Sequence, residues 1–348
     1  IKLSFTYRHK TNDIVKNYTL DEAAALIAAN LGTKFVNARM FTLDGDLQLS
    51  RQGDGFALHR HPASETSVPK LDHNRQKNRM IAGGKGWMHA LGLADARGEI
   101  LPTAQDKYRQ INKYIEVLDA LLKQLPKGAG TERPVRIADM GAGKGYLTFA
   151  LYDHLVSTMK WQAQVTGVEF RADLVKLCNE TAKASGFAGL RFVEGTIDSY
   201  DCSGADVVIA LHACDTATDD AIAKAVKAEA ALIVVAPCCH KQIRREIEKS
   251  GCASKDNPLQ FLMQYGTYVE RVSEMVTDGM RAELLELSGY KVNLFEFISD
   301  THTPKNVMIT AVRQAVSDKR AAALRGSLEA TKAQFGIGRH YLESALAG

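Results

Sequence analysis

The stretch that decides the fold is residues 135–147, which read VRIADMGAGKGYL. Its apolar start is typical of a buried strand, and Gly141, Gly143 and Gly145 let the backbone turn sharply and approach a ligand closely. Asp139 stands two residues before the first glycine. An acid there is unfavourable beside a pyrophosphate, which needs bare amide N–H groups at a helix start. The stretch therefore predicts a strand, a turn and a helix around a ligand with a positive centre and an ammonium group.

Short apolar segments alternate with helical patterns after this stretch. Candidate strands are 135–140, 163–170, 189–194, 205–211 and 231–236, with helices at about 145–158, 171–185 and 217–229. This alternation predicts a parallel, doubly wound α/β sheet. Two more strands, 290–298 and 305–313, follow a helix near 267–288. Residues 299–304 are too few for a crossover, so we expect these last two strands to be antiparallel.

Two further acids follow strands of the predicted sheet. Glu169 ends the second strand, where a carboxylate accepts hydrogen bonds from ribose hydroxyls. Asp198 follows the third strand, in a position to flank an adenine ring. Together with the glycine-rich turn, the two acids predict a site for a nucleoside-containing ligand.

Chemically reactive side chains follow the fourth and fifth strands, in residues 211–219 (LHACDTATD) and 237–241 (PCCHK). Open parallel sheets bind ligands at the carboxyl ends of their strands. We therefore expect one cluster beside the ligand, made of His212, Cys214, Asp215, Cys238, Cys239 and His240.

Residues 135–313 resemble the class I S-adenosylmethionine-dependent methyltransferases, which have a Rossmann-like fold. The resemblance implies a seven-stranded sheet of order 3-2-1-4-5-7-6 and S-adenosylmethionine as the cofactor. It implies cofactor-binding roles for Asp139, Gly141, Gly143, Gly145 and Glu169.

The motifs after strands four and five are similar to those of one methyltransferase subfamily, which carries H-x-C-(G)-x-x-x-T-D and C-C-H. That subfamily includes eukaryotic tRNA 2′-O-methyltransferases of the acceptor stem and several methyltransferase-like proteins. In this sequence Asp215 stands where the pattern often has glycine.

Three mechanisms compete on these residues. In direct in-line transfer the enzyme positions the reactants, and Asp215, His240 or His212 removes a proton. Asp219 is then expected to cap helix 217–229. In covalent catalysis, Cys238 or Cys239 attacks C6 of a pyrimidine and activates C5, with His240 lowering the thiol pKa.

The third possibility is a zinc site. His212, Cys214, Cys238, Cys239 and His240 offer soft ligands, but vicinal cysteines rarely both bind one ion. The sequence is therefore interpreted as holding no metal. Cys238 or Cys239 is also interpretable as a small buried residue at a strand end.

Composition and pattern divide the chain into three parts. The 348 residues, 45% hydrophobic and 24% charged, suit a globular protein of about two domains. We predict an N-terminal α+β accessory domain over 1–104, with strands around helix 21–31 and a meander after it. A connecting helix and linker follow over 105–134, and the methyltransferase domain covers 135–348. Lys107 shares one face of the connecting helix with Gln110 and is predicted to reach the ligand.

Charge and cysteine usage suggest the partner and the compartment. Residues 1–130 hold 19 Lys and Arg against 13 Asp and Glu, a net charge of +6. This basic half predicts an anionic partner, and Arg244, Arg245 and Lys249 after the Cys-Cys-His motif suit a phosphate backbone. No apolar run approaches the ~18 residues of a membrane span, and the first residues do not look like a signal peptide. The vicinal Cys238–Cys239 pair favours a reducing, cytoplasmic setting.

The sequence thus predicts a cytoplasmic methyltransferase that acts on tRNA or rRNA by direct transfer, with no membrane and no obligate protein partner. The alternatives are an RNA pyrimidine C5-methyltransferase using Cys238 or Cys239, a protein or small-molecule methyltransferase, and a non-catalytic protein that binds S-adenosylmethionine and RNA.

Overall fold

The computed structural model describes residues 2–9, 12–53, 55–64, 67, 79–211, 213–250, 257–297 and 306–348. The chain forms two compact units, Ile1–Lys77 and Asn78–Gly348. Each unit is described by itself below.

The first unit contains two antiparallel sheets and one helix. Strands β1 (Leu3–Arg8) and β2 (Asp13–Tyr18) form a hairpin. Helix α1 (Leu20–Asn30) begins with the predicted capping box, in which Thr19 and Glu22 bond each other's backbone N–H groups. The predicted meander follows as β3 (Asn37–Met40), β4 (Asp46–Gln52) and β5 (Gly55–His61).

The second unit is built on one seven-stranded sheet. Its strands are β6 (Val135–Met140), β7 (Ala163–Glu169), β8 (Leu190–Glu194), β9 (Val207–Leu211), β10 (Leu232–Ala236), β11 (Tyr290–Glu296) and β12 (Val307–Arg313). Their order is β8-β7-β6-β9-β10-β12-β11, with β12 antiparallel to both of its neighbours. This is the predicted order 3-2-1-4-5-7-6, and the antiparallel pairing of the last two strands is confirmed.

Helices accompany the sheet, and most of them bury apolar residues. Their bounds are α2 (Gly86–Ala90), α3 (Gln105–Leu122), α4 (Tyr146–Asp153), α5 (Ala172–Ala184), α6 (Thr216–Lys227), α7 (Lys241–Ser250), α8 (Gln260–Met263), α9 (Gly266–Leu287), α10 (Asp318–Phe335) and α11 (Tyr341–Ala347). In α3, residues three and four apart, such as Ile111, Ile115, Leu118 and Leu122, are fully buried.

The second unit begins ahead of the predicted boundary at residue 104. Trp87 and Met88 are buried in the same hydrophobic cluster as α3 and the sheet. The Trp87 indole also donates a hydrogen bond to Asp153 at the end of α4, with Nε1 and Oδ2 3.3 Å apart. Residues after Asn78 and helix α3 are therefore part of the unit that carries the sheet, and the predicted domain split and connecting segment need this correction.

Within the described part of the chain, no helix combines the length and the apolar character that crossing a bilayer requires.

Candidate cofactor and active site

The glycine-rich loop, residues 141–145, joins β6 to α4 in a conformation that needs its glycines. Gly141, Gly143 and Gly145 have φ angles of +77°, +57° and +70°. A Cβ on Gly145 would lie 2.9 Å from the Phe192 ring, whereas a Cβ on Gly141 would have no atom within 4 Å. One end of the loop therefore packs against the core, and the other borders open space.

Asp139 lies at the end of β6 beneath this open space. Its side chain is buried and accepts a hydrogen bond from Thr148, with Oγ1 and Oδ2 2.6 Å apart. Burial raises the pKa of Asp139 to about 6 against the lowering effect of that bond. Burial and the Asp139 charge also raise the pKa of Tyr114, whose hydroxyl has no hydrogen-bond partner among the described residues. The pair offers acceptor oxygens suited to a cationic N–H donor.

Glu169 ends β7 and binds the glycine-rich loop from below. It accepts a bond from the Gly143 amide at 2.8 Å and bonds from the amide and Nε of Arg171 at 3.2 and 2.8 Å. Burial raises its pKa, but the bonds from Arg171 and Gly143 outweigh burial and leave the pKa below its usual value. Glu169 is therefore an ionised acceptor fixed beside the loop.

Lys107 and Asp198 are the other two residues predicted to bind the cofactor, and their surroundings differ. Lys107 Nζ donates to Gln110 Oε1 at 3.0 Å and stands 5.9 Å from the centre of the Tyr146 ring, at the start of α4. Burial lowers the Lys107 pKa. Asp198 is exposed after β8, where its carbonyl accepts a 2.6 Å bond from Lys224 Nζ. The structure thus brings Lys107 to the glycine-rich loop and fixes the main chain of Asp198.

Three cysteines meet at the carboxyl ends of β9 and β10; we call Cys214, Cys238 and Cys239 the cysteine cluster. Each pair of Sγ atoms is 3.8 Å apart. Cys214 is exposed, and the other two are half-buried. Burial and the neighbouring thiols raise the pKa of Cys238 to about 12. Cys238 is therefore a neutral thiol.

A buried ionic network lies against the cluster's two loops. Arg281 of α9 bonds both carboxylate oxygens of Asp219, at 2.7 and 3.0 Å, and Asp278 Oδ1 at 3.0 Å. The Asp278 oxygen also lies 3.1 Å from His240 Nε2. A further Arg281 bond, at 3.0 Å, goes to the Asp215 carbonyl. Because all these side chains except Asp215 are buried, the network fixes the two loops relative to each other.

Asp215 adopts a backbone conformation that favours glycine, with φ +53° and ψ −122°. This explains why the related motif often has glycine here: a Cβ makes the conformation costly. The Asp215 carboxylate accepts a bond from the Gln242 amide at 3.2 Å. The side chain therefore ties the loop after β9 to the first turn of α7.

Comparison with known proteins identifies the second unit. Residues 106–246 match a family model described as a methyltransferase domain. The second unit therefore contains a methyltransferase domain. Its cofactor is S-adenosylmethionine, and three features of the site fit it: the buried acceptor Asp139, the open space beside Gly141 and the ionised Glu169.

Curated relatives of this chain are longer proteins. The chain is 26% identical over 221 residues to "Glutathione S-transferase C-terminal domain-containing protein" of Xenopus laevis, covering 58% of this chain and 33% of the relative. The Homo sapiens protein of the same name is 24% identical over 195 residues, or 51% and 30%. This chain thus spans about a third of the length of the curated relatives it matches.

Among solved structures, the second unit's fold is similar to magnesium protoporphyrin IX methyltransferase from Synechocystis PCC 6803 with bound SAH. The identity is 14% and the TM-score 0.37, with 66% of this chain and 92% of that chain covered.

The methyltransferase domain places some predicted residues differently. Asp219 does not cap a helix: α6 begins at Thr216, and Asp219 is buried inside it against Arg281. His240 is buried and bonded to Asp278. Arg244 is paired with Glu248 and Glu270. His212 lies outside the described residues.

Sequence reasoning missed three residues of the methyltransferase domain that the geometry brings forward: Tyr114, Thr148 and Arg281. Thr148 follows the glycine-rich loop by one helical turn, so the i, i+3 spacing from Gly145 was a usable signal. The sequence signal for Arg281 is weaker: it is the pairing of Asp278 and Arg281 on the apolar face of α9. Nothing near Tyr114 in the sequence marks it as part of the site.

Proposed function

We propose that the protein transfers the methyl group of S-adenosylmethionine directly to RNA, either tRNA or rRNA. The observation that carries this proposal is the shared edge of the sheet. The cofactor groups end β6 and β7, while Asp215 and the cysteine cluster follow β9 and β10, the adjacent parallel strands. Ligands of such sheets bind at this edge.

Different residues of the chain bind different parts of the cofactor. Asp139 and Tyr114 accept hydrogen bonds from the ammonium group, and the glycine-rich loop lies along the methionine part. Glu169 accepts bonds from the ribose hydroxyls, and Asp198 flanks the adenine. Lys107, with its ammonium beside the loop, pairs with the carboxylate. When bound, the cofactor supplies a methyl group on a positively charged sulfur.

Asp215 is the base in this proposal. Its carboxylate is half-buried, and the Gln242 amide and the Arg281 bond to its carbonyl fix its position. From there it removes the proton of an RNA hydroxyl or amino group as the methyl transfers. The buried His240 acts as a positioning residue through Asp278. The raised pKa of Cys238 favours direct transfer over a thiolate attack on a pyrimidine.

Charge supports RNA as the acceptor. The net charge of +6 on residues 1–130 provides the sequence-independent attraction that a phosphate backbone needs. On α7, Arg245 and Lys249 are exposed, whereas Arg244 is already paired. We place the activity in the cytoplasm, where reduced thiols are the ordinary state of cysteine.

The direct test is transfer of labelled methyl from S-adenosylmethionine into fractionated cellular RNA, protein and metabolites. We expect label that ribonuclease releases and protease does not. Labelling of protein or metabolites alone would contradict the RNA acceptor while leaving the methyltransferase assignment in place.

The cofactor assignment has its own test. Glu169→Ala is expected to weaken donor binding at least about tenfold, measured by calorimetry, because ribose hydroxyls lose a charged acceptor. The matched control is Glu194→Ala, which removes an exposed acid from the end of the neighbouring strand β8. Equal donor affinity for both variants would place the ribose elsewhere.

A further inference from the structure

The cysteine cluster has a geometry that the methyl transfer itself does not use. Its three sulfurs come from two loops after adjacent strands, Cys214 after β9 and the vicinal pair after β10. All three Sγ separations are 3.8 Å, so the sulfurs form an equilateral triangle. A disulfide would need about 2.05 Å between two of them.

We propose that the cysteine cluster binds one zinc ion, with Cys214, Cys238 and Cys239 as thiolate ligands. Tetrahedral zinc bonds each thiolate at about 2.3 Å, which sets neighbouring ligand sulfurs about 3.8 Å apart. All three edges of the triangle meet this requirement. Vicinal cysteines rarely both bind one ion, but the loop after β10 brings these two sulfurs within 3.8 Å of each other and of Cys214 Sγ.

The triangle also distinguishes one ion from a cluster of irons. An iron–sulfur cluster distributes its cysteine ligands over several irons, which keeps at least some of their sulfurs farther apart. Three mutually adjacent sulfurs are the pattern of a single thiophilic ion.

The surroundings of the cysteine cluster suit a negatively charged zinc–thiolate group. Cys214 lies two residues before α6, and Cys239 lies two residues before α7. The amino ends of both helices carry partial positive charge, which stabilises thiolates. Arg281 anchors one loop through the Asp215 carbonyl, and Asp278 anchors the other through His240. Because Cys214 is exposed, an ion can reach the site from solvent.

Among the described residues the ion has three protein ligands, which leaves one position of a tetrahedral ion for water or an atom of a substrate. That is the coordination of a reactive zinc rather than of a closed structural one. Zinc at this place fixes the loops after β9 and β10 and lies one residue from Asp215. The proposal requires neither RNA nor methyl transfer, so it stands or fails apart from the proposed function.

The test is the zinc content of the untagged chain, purified under reducing conditions from zinc-supplemented cells. We expect about one zinc ion per chain, measured by elemental mass spectrometry. Cys214→Ser, Cys238→Ser and Cys239→Ser are each expected to weaken zinc binding by at least about tenfold in a chelator competition. The matched control is Cys202→Ala, since Cys202 is buried beside Lys224 and outside the cluster; it should keep its zinc.

Cobalt substitution and donor binding complete the test. Co²⁺ in the wild-type chain should give thiolate-to-cobalt charge-transfer absorption and strong visible bands, and the serine variants should lose them. Donor binding by each variant shows that the protein is folded, so loss of metal is not mistaken for unfolding. A folded chain without stoichiometric zinc, or serine variants that bind zinc as the wild type does, would overturn the proposal.

Discussion

The glycine-rich loop and the cysteine cluster lie at the same edge of the sheet, but different forces fix them. Backbone conformation shapes the glycine-rich loop through three positive φ angles, and the Gly143 amide donates a bond to Glu169 at the end of the adjacent strand β7. Side chains distant in sequence fix the loops of the cysteine cluster, since Arg281 of α9 bonds Asp219 and the Asp215 carbonyl. We call the part of this edge that carries the glycine-rich loop the cofactor edge, and the part that carries the cysteine cluster the cysteine edge. The stability of the cofactor edge should therefore depend mainly on backbone conformation and burial. The stability of the cysteine edge should depend mainly on the charge of Arg281, which is distant in sequence.

The largest effect is expected at Arg281. Arg281→Met leaves the buried carboxylates of Asp219 and Asp278 without their cation, and removing one member of a buried ion pair costs about 3–5 kcal/mol. We expect the free energy of unfolding to fall by that amount in urea titration. Metal and substrate chemistry at the cysteine edge should weaken in parallel, because the loop anchored at the Asp215 carbonyl is released.

Arg244→Met is the matched control for Arg281→Met. Arg244 also meets two carboxylates, Glu248 and Glu270, but all three side chains are partly exposed. Exposed pairs contribute about 1 kcal/mol or less. Equal destabilisation by the two variants would show that burial of the network is not what fixes the cysteine edge. Arg281→Met combined with Asp219→Asn should recover part of the loss, since one uncompensated charge is gone.

The next effect tests the glycine-rich loop by its backbone. Gly145→Ala adds a Cβ that meets the Phe192 ring at 2.9 Å and strains a φ of +70°. Left-handed strain and overpacking together should cost about 2–4 kcal/mol in the free energy of unfolding. Urea titration measures it.

Gly141→Ala separates strain from crowding at the same loop. Its φ is +77°, but a Cβ there meets nothing within 4 Å. We expect about 1–2 kcal/mol of destabilisation from strain alone and a larger loss of donor affinity than stability, because the methyl group enters the cofactor's space. The opposite ranking of donor affinity between the two variants would contradict the placement of the cofactor above Gly141.

The sequence predicted the two edges unequally, for a physical reason. Local signals were sufficient to predict the positions of the glycine-rich loop, Asp139 and Glu169, because all of them lie at strand ends that the apolar pattern predicts. The sheet order followed as well, since a six-residue link between the last strands excludes a crossover. The domain boundary did not, because Trp87 joins the core of the second unit through packing against distant elements.

At the cysteine edge the sequence supplied the reactive residues but not their support. Asp219 was expected to cap a helix, and only the folded chain brings Arg281 to it across 62 positions. The positive φ of Asp215 was not predicted either. Glycine at this place in related motifs suggests such a backbone conformation, but this sequence has an acid there. Pairings between distant segments are set by packing, which no local pattern records.

Replacement of Asp139 is expected to raise the free energy of unfolding, whereas the changes above lower it. Burial raises its pKa to about 6, so keeping it ionised above that pH destabilises the folded chain. Asp139→Asn keeps an acceptor for Thr148 and removes this cost, which a shift of about two pKa units places near 2–3 kcal/mol. We expect the variant to unfold at higher urea than the wild type at pH 8 and to lose donor binding.

The pH dependence of Asp139 follows from the sign of its shift. The penalty is absent below the ordinary carboxylate pKa of about 4 and grows as pH rises through about 6. The stability gain of Asp139→Asn should therefore shrink between pH 8 and pH 4.5. Wild-type donor affinity should fall below pH 6, because a protonated Asp139 no longer attracts an ammonium group. A gain that is constant with pH would mean that Asp139 is not the titrating group.

The smallest effect concerns the strained turn at the cysteine edge. Asp215→Ala loses the bond from the Gln242 amide but keeps a Cβ at φ +53°, whereas Asp215→Gly loses the bond and the strain together. Strain of this kind costs about 1–3 kcal/mol, partly offset by the backbone freedom of glycine in the unfolded chain. We therefore expect the glycine variant to be more stable than the alanine variant by about 1 kcal/mol in urea titration, with methyl transfer reduced in both because the carboxylate is gone. If the alanine variant were the more stable, the turn would not be strained, and Asp215 would not destabilise the backbone. If methyl transfer survived in both variants, another group would remove the proton.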